Sequence, residues 1–315
     1  MIALEAIQAA AERLRLADAA LRTPLLRLPV DDAPAEIYLK LENLQPIGSF
    51  KLRGAGNAMA LAGREALAQG VYTASAGNMA QGVAWNARRL GISCSVVVPD
   101  HAPATKLAAI ERLGGRVIKL PFERWWDVIV SGAYDGLDGL FIHPVRDADV
   151  MAGNGTIGLE ILEDAPDLDA VVIPYGGGGL SCGIASALRA LKPDTRVYAA
   201  EVETAAPLAA SLRAGQPVEV AYEPSFVDGI GGKSVLPEMW TLARALLDGS
   251  LVASLDEARA AIRLLAERGR VIAEGAGAAP VAAALAGRAG GGKVVCVVSG
   301  GNIDCEVLAG ILASG

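Results

Sequence analysis

Histidine is scarce in this chain of 315 residues: His101 and His143 are the two, in neither HxxxH nor HExxH spacing, so a zinc site has little to build on. Cysteine is rare as well. Cys94, Cys182, Cys296 and Cys305 are scattered without CxxC pairs, and Cys94 and Cys296 lie in apolar strand-like runs, which predicts buried thiols and gives no reason to assign a transition metal. The net charge is -7 and no basic block of the kind that tracks a phosphodiester backbone occurs, so nucleic acid is not expected as a partner. No segment supplies the roughly 18 to 20 uninterrupted apolar residues of a membrane span, because arginines and glutamates punctuate the Ala-rich stretches. Glu5, Glu12 and Arg13 break up any apolar run behind Met1, so neither export nor membrane insertion is expected and the cytoplasm is.

What is present points to an enzyme. A hydrophobic content of 52% can bury a sizeable core in one large domain or two modest ones. Short β-branched runs at residues 37–41, 71–74, 95–98, 116–120, 171–174, 197–201 and 294–298 alternate with Ala- and Leu-rich helical stretches. That alternation predicts an α/β fold of parallel sheets flanked by helices, with two sheets in all. Most runs are apolar on both faces, as buried parallel strands are. Residues 256–268 show helical spacing behind a Ser254 cap, and residues 217–233 and 287–292 are Gly- and Pro-rich loops.

Two motifs carry chemistry. In Gly48-Ser49-Phe50-Lys51-Leu52-Arg53-Gly54, Lys51 stands among small residues at a helix start; it is either a Schiff-base nucleophile or one of 28 ordinary lysines and arginines. Gly176, Gly177, Gly178 and Gly179 follow one strand run and precede a helix near Leu180, where bare backbone at a helix N-terminus can wrap a phosphate. A dinucleotide loop is the rival reading, with Glu201 placed as a ribose-binding acid. Its spacing fails, because GxGxxG would need glycine where Ser181 and Cys182 stand. A literal GxGxxG at Gly153, Gly155 and Gly158 follows no strand, and a helix start is the better reading of residues 147–152. Gly232-Lys233-Ser234 mimics the end of a P-loop, but Val227 occupies the required glycine position.

Taken in order, Arg22-Thr23-Pro24-Leu25, Leu41-Glu42-Asn43-Leu44-Gln45, the Lys51 segment, Ser75-Ala76-Gly77-Asn78-Met79, the glycine run and Ser299-Gly300-Gly301-Asn302 resemble the fold-type-II pyridoxal-phosphate enzymes. Within that family the likeness is to the serine/threonine dehydratases, or threonine ammonia-lyases. The resemblance implies a two-domain, tryptophan synthase β-like architecture, with residues 1–63 and 144–315 as the large cofactor-binding domain and 64–143 as a smaller, movable one. It implies pyridoxal 5'-phosphate bound through Lys51, with Phe50 beside it, Gly176 to Gly179 and Leu180 on the phosphate, Asn78 by the ring hydroxyl and Ser299 at the ring nitrogen. Ser75, Ala76, Gly77, Asn78 and Met79 would hold the substrate; Gly229 and Glu274 are further candidates. The implied reaction is elimination of water, then ammonia, from serine or threonine, by a homo-oligomer.

The sequence also departs from that pattern. Met79 stands where these dehydratases usually have histidine, which leaves the substrate open, and Trp125 and Trp126 are candidates for bordering an enlarged pocket, or for core packing. Related racemases carry serine where this chain has Ala76, so elimination is favoured over racemisation. Glu201 matches one acid of the family's divalent-ion site, but Pro207 falls at the second. β-Replacement, racemisation, a dehydratase for a bulkier phenylserine-like substrate, an NAD-dependent dehydrogenase and an inactive binding protein stay open as alternatives.

Overall fold

The computed structural model describes residues 1–314. Ten strands form two sheets: β1 (Leu25–Arg27), β2 (Glu36–Leu41), β3 (Val71–Ala74), β4 (Cys94–Pro99), β5 (Gly115–Leu120), β6 (Leu140–Phe141), β7 (Ala170–Pro174), β8 (Arg196–Val202), β9 (Gly249–Ala253) and β10 (Lys293–Val298). The larger has the order β1-β2-β10-β7-β8-β9, the smaller β5-β4-β3-β6. Apart from the antiparallel pair of β1 and β2, all pairings are parallel, as the β–helix alternation requires.

The two-sided apolar runs have a direct structural counterpart. In β10, Val294, Cys296 and Val298 pack into one core with the helix Gly275–Leu285, while Val295 and Val297 face the opposite core with residues of the helix Gly179–Leu191. Alternation of side chains along the strand thus feeds two helix layers at once. The smaller sheet has its own core, to which Ala55, Ala58 and Met59 of the helix Lys51–Ala66 contribute.

Seven expected strands are present to within a residue or so. Three were not foreseen: β1, β6 and β9, of three, two and five residues. They are too short, or too mixed with Gly and Ser, to show a period. Ser254 forms a capping box with Glu257 on the helix Leu255–Leu264, which continues as a π-helical turn, Leu265–Gly269.

The coincidental GxGxxG lies inside the helix Ala148–Asp164, which begins behind an Asp147 cap. Its glycines serve close packing. A Cβ on Gly153 would sit 2.5 Å from the Arg53 carbonyl oxygen, one on Gly155 2.9 Å from that of Gly183, and one on Gly158 3.0 Å from that of Ile184. The Lys51 helix and the Gly179 helix can therefore both approach this one. Glu201 likewise has a structural partner set: its carboxylate accepts the amides of Leu208 and Ala209, at 2.9 and 2.8 Å, and the Ser250 hydroxyl at 2.6 Å. It caps a helix, against the ribose-binding and metal roles considered for it.

Beneath the Lys51 helix lies a buried charge quartet. Arg53 bonds Glu42 at 2.8 Å through both Nε and Nη2, and Glu160 at 2.6 and 2.9 Å; Lys40 bonds Glu160 at 2.5 Å. Two cations and two anions balance there, so none is buried uncompensated.

Candidate active site

In parallel sheets, ligand sites form beyond the carboxyl ends of the strands. Here four such ends converge. Ser299 follows β10, Gly176 lies two residues past β7, Ser75 follows β3 and Pro99 ends β4; all border one cavity of about 350 Å³. The pairing of β2 with β10, and a bridge between Ser49 and Gly300, bring the Lys51 segment alongside, with the Phe50 amide donating to the Ser299 carbonyl at 3.0 Å.

Every expected site residue reaches this cavity: Phe50, Lys51, Ser75, Ala76, Gly77, Asn78, Met79, Gly176, Gly177, Gly178, Gly179, Leu180, Gly229, Glu274 and Ser299. Lys51 is the first residue of its helix. Its ammonium donates to the Pro144 carbonyl at 3.2 Å and lies 5.1 Å from the centre of the Phe50 ring. Desolvation pulls its pKa down to about 8, against the pull of the Glu274 charge.

Opposite it, the glycine run opens the helix Gly179–Leu191. The first amide there with a backbone acceptor is that of Cys182, to Gly178; those of Gly176 to Ser181 have none among the described residues. Gly178 is left-handed at φ 94°, and a Cβ on Gly177 would lie 2.5 Å from both methyls of Val145. Only glycine leaves this cradle open. Donors without partners at a helix N-terminus suit an anion, and the Ser299 hydroxyl bonds no other residue among those described. Amine, anion cradle and free hydroxyl around one cavity therefore fit pyridoxal phosphate.

Asn78 is not a helix cap: Gly77 holds that position, and no side chain caps the helix Asn78–Leu90. Its Nδ2 donates to Glu274, and its Oδ1 accepts from Asn302. Glu274 is buried, and desolvation raises its carboxyl to about 7 although the Asn78 bond opposes this. Met79 both lines the cavity and packs into the core of the smaller sheet. Trp125 lines the cavity, its Nε1 buried without a partner among the described residues. Trp126 does neither: its side chain is 46% exposed, because its helix Phe122–Ser131 turns it to solvent.

Lys106, Asp228, Pro144, Val145 and Asn302 were not among the expected site residues. Lys106 and Asp228 pair across the cavity, from the helix Ala104–Arg112 and from the loop before Gly229. Nothing local marks them, since only tertiary packing joins these segments. A larger cleft of about 710 Å³ lies elsewhere, between the helices Leu4–Leu16 and Ala148–Asp164, but its charged groups are largely paired with one another.

Comparison with known proteins agrees with this geometry. A family model described as pyridoxal-phosphate dependent enzyme matches residues 16–300. An L-threonine ammonia-lyase of Thermotoga maritima is 41% identical over 283 residues, 89% of this chain and 70% of that one. Maize serine racemase superposes with a TM-score of 0.90 at 31% identity, covering 98% of this chain and 95% of its own. The processed threonine deaminase isoform 2 of Solanum lycopersicum gives 0.87 at 34% identity, covering 99% and 94%.

Proposed function

This chain belongs to the pyridoxal-phosphate-dependent enzymes, and on that footing we propose that it eliminates water from a β-hydroxy amino acid, giving a 2-oxo acid and ammonia. The observation that carries the reading is the cavity that sets the Lys51 amine opposite the unpartnered amides of the glycine run. Pyridoxal phosphate, when bound, supplies an aldehyde that condenses with amines and a ring that withdraws electrons from the substrate α-carbon.

The residues divide the work. Lys51 would hold the cofactor through Nζ, and the same atom would be the base that accepts the substrate's α-proton. With its pKa pulled down to about 8, a useful fraction of the amine is unprotonated near neutral pH. The amides of Gly176, Gly177, Gly178, Gly179 and Leu180 would bind the phosphate, and the Ser299 hydroxyl would serve the ring nitrogen. Being a hydroxyl and not a carboxylate, Ser299 would not hold that nitrogen protonated, in keeping with elimination at the β-carbon. Backbone from Ser75 to Met79 receives the substrate carboxylate. Ala76 presents a methyl to the cavity and can carry no proton, so it offers nothing for racemisation from the other face.

We further assign residues 64–143 as a movable unit closing on the rest, and the working form as a cytoplasmic homo-oligomer. Three buried, unpaired cysteines are in keeping with a reducing compartment, and the exposed Val307 and Leu312 of the last helix with a subunit contact. Among the described residues no helix is long and apolar enough to cross a membrane.

Met79 and Trp125 give the cavity an apolar side, so serine should be the poorer substrate beside threonine or a β-aryl serine. Measuring 2-oxo acid release from serine, threonine and phenylserine by the protein loaded with pyridoxal phosphate tests both levels. No product from any of them would sink the elimination reading. A clear preference for serine would sink the substrate assignment alone.

A further inference from the structure

We propose that His143 is a positioning residue for this reaction: its Nδ1 accepts the amides of Val145 and Arg146, and so shapes the turn that presents the Pro144 carbonyl to Lys51 and Val145 to the glycine cradle. The inference rests on the reading of the cavity given above. His143 is 7% exposed and does not line the cavity.

The chain is pinned on both sides of the turn. Before it, the Ile142 amide donates to the Tyr72 carbonyl at 2.8 Å, and Thr73 Oγ1 donates to the Ile142 carbonyl at 2.8 Å, tying residue 142 to the smaller sheet. After it, Asp147 caps the helix Ala148–Asp164, accepting from the amides of Asp149 and Val150 at 2.8 and 3.2 Å. Between these anchors the imidazole organises the backbone. The Val145 and Arg146 amides lie 3.0 and 3.1 Å from Nδ1. Both are donors, so Nδ1 must be bare and the ring proton sits on Nε2, where it is donated to the Ile129 carbonyl at 3.2 Å. Phe141 packs edge-on against the ring, with centroids 5.9 Å apart.

A buried neutral histidine has one donor and one acceptor to satisfy, and a single partner for each would suffice. This one uses both nitrogens, and one of them takes two amides. The bare nitrogen is durable, because burial, helped by the nearby Arg146 charge and opposed by the Ile129 carbonyl bond and by Asp147 and Glu238, pulls the imidazole pKa down to about 4.

The turn so formed meets the site at two points. The Pro144 carbonyl accepts from the Lys51 ammonium at 3.2 Å. Val145 closes on the cradle, its methyls 2.5 Å from where a Gly177 Cβ would be and its carbonyl oxygen 2.8 Å from where a Gly179 Cβ would be. Displacing the turn moves both the lysine's partner and the wall of the anion cradle. Through Ile129, the same imidazole links them to the helix Phe122–Ser131, within the residues assigned as movable.

Paired substitutions separate this role from a packing role. His143→Asn keeps an acceptor oxygen near the position of Nδ1, whereas His143→Gln moves its polar end toward Nε2 and leaves both amides bare. Titrating each apoprotein with pyridoxal phosphate, and then measuring kcat/KM, should show about tenfold to a hundredfold losses for His143→Gln, falling on kcat more than on KM. His143→Asn should stay within about threefold of the parent in both, with matching thermal melts. Asn and Gln variants that bind the cofactor alike, at whatever level, overturn the proposal. Should the Gln variant not fold, ¹⁵N NMR of the parent protein decides, since it has only two histidines: a bare Nδ1 on His143 supports the role and a protonated one refutes it. A parent protein that takes up no pyridoxal phosphate removes the underlying reading of the cavity, an outcome distinct from these.

Discussion

Asn78 donates from Nδ2 to both carboxylate oxygens of Glu274, at 2.9 and 3.2 Å, while its Oδ1 accepts from Asn302 at 2.8 Å. Asn302 is held in turn by the Ile47 carbonyl at 2.8 Å. Segments at residues 47, 78, 274 and 302 are thereby locked around one buried carboxyl whose charged form is disfavoured.

That carboxyl should leave a signature in stability. Its pKa is raised from 4.5 to about 7, so between those values the folded protein holds a proton that the unfolded chain has released. Apoprotein stability must therefore fall as pH rises through this window, by up to about 3 kcal/mol from this group. Glu274→Gln should remove the slope: urea unfolding of variant and parent should diverge steadily from the acid to the neutral end. Parallel curves would show that Glu274 is not held protonated.

Lys51 shifts the other way, and kinetics can read it. Only the neutral amine attacks an aldehyde, so the rate at which apoprotein captures pyridoxal phosphate should climb as pH passes through about 8 and then level off, instead of climbing on toward 10.5. Lys51→Ala should lose the protein-bound cofactor absorbance on gel filtration. Turnover should drop by about 10²- to 10⁴-fold from loss of the base alone.

The cradle can be filled by one methyl. Gly177→Ala places a carbon against both Val145 methyls and should weaken cofactor binding, at an overpacking cost of about 1 to 3 kcal/mol. Adding Val145→Ala should restore part of the binding. A double variant no better than the single one would show that the contact is not the cause.

Lys106 and Asp228 form a partly exposed ion pair, which bounds what it contributes to folding. Lys106→Ala should change the unfolding free energy by less than about 1 kcal/mol. Because both side chains border the cavity, kcat/KM should nevertheless fall several-fold, and the deficit should shrink at high salt, where the parent pair is screened. Unchanged kinetics would place the pair outside the substrate's path.

How much of this was legible depended on whether a residue acts through its own neighbourhood or through distant ones. Lys51 and Gly176 to Gly179 could be read because an amine at a helix start and bare backbone between strand and helix are local arrangements. The long apolar strands were readable for the same reason. Pro144, Lys106 and Asp228 were not, since their partners lie far away in the chain and no periodicity records such meetings; His143 bonds amides only two and three residues on, but the turn it shapes gains a role only where distant Lys51 meets it. Gly153, Gly155 and Gly158 show the converse: a local pattern that matches a nucleotide loop serves helix crossing, a role visible only once the facing backbones are in place. Trp126 was misplaced because aromaticity indicates burial, whereas the helix face decides it.

The charge quartet beneath Lys51 also bears on how the molecule can be divided. Arg53, two residues beyond the lysine, has one carboxylate partner eleven residues upstream and the other 107 residues downstream. A fragment ending before Glu160 would leave an arginine and Lys40 facing a single acid in an apolar interior, an arrangement that water must enter or the helix must leave. The lysine's helix is thus seated only when the chain has been made through Glu160. Halves of this protein, split anywhere between residues 66 and 148, would be expected to acquire the site together, on reassociation, and neither alone.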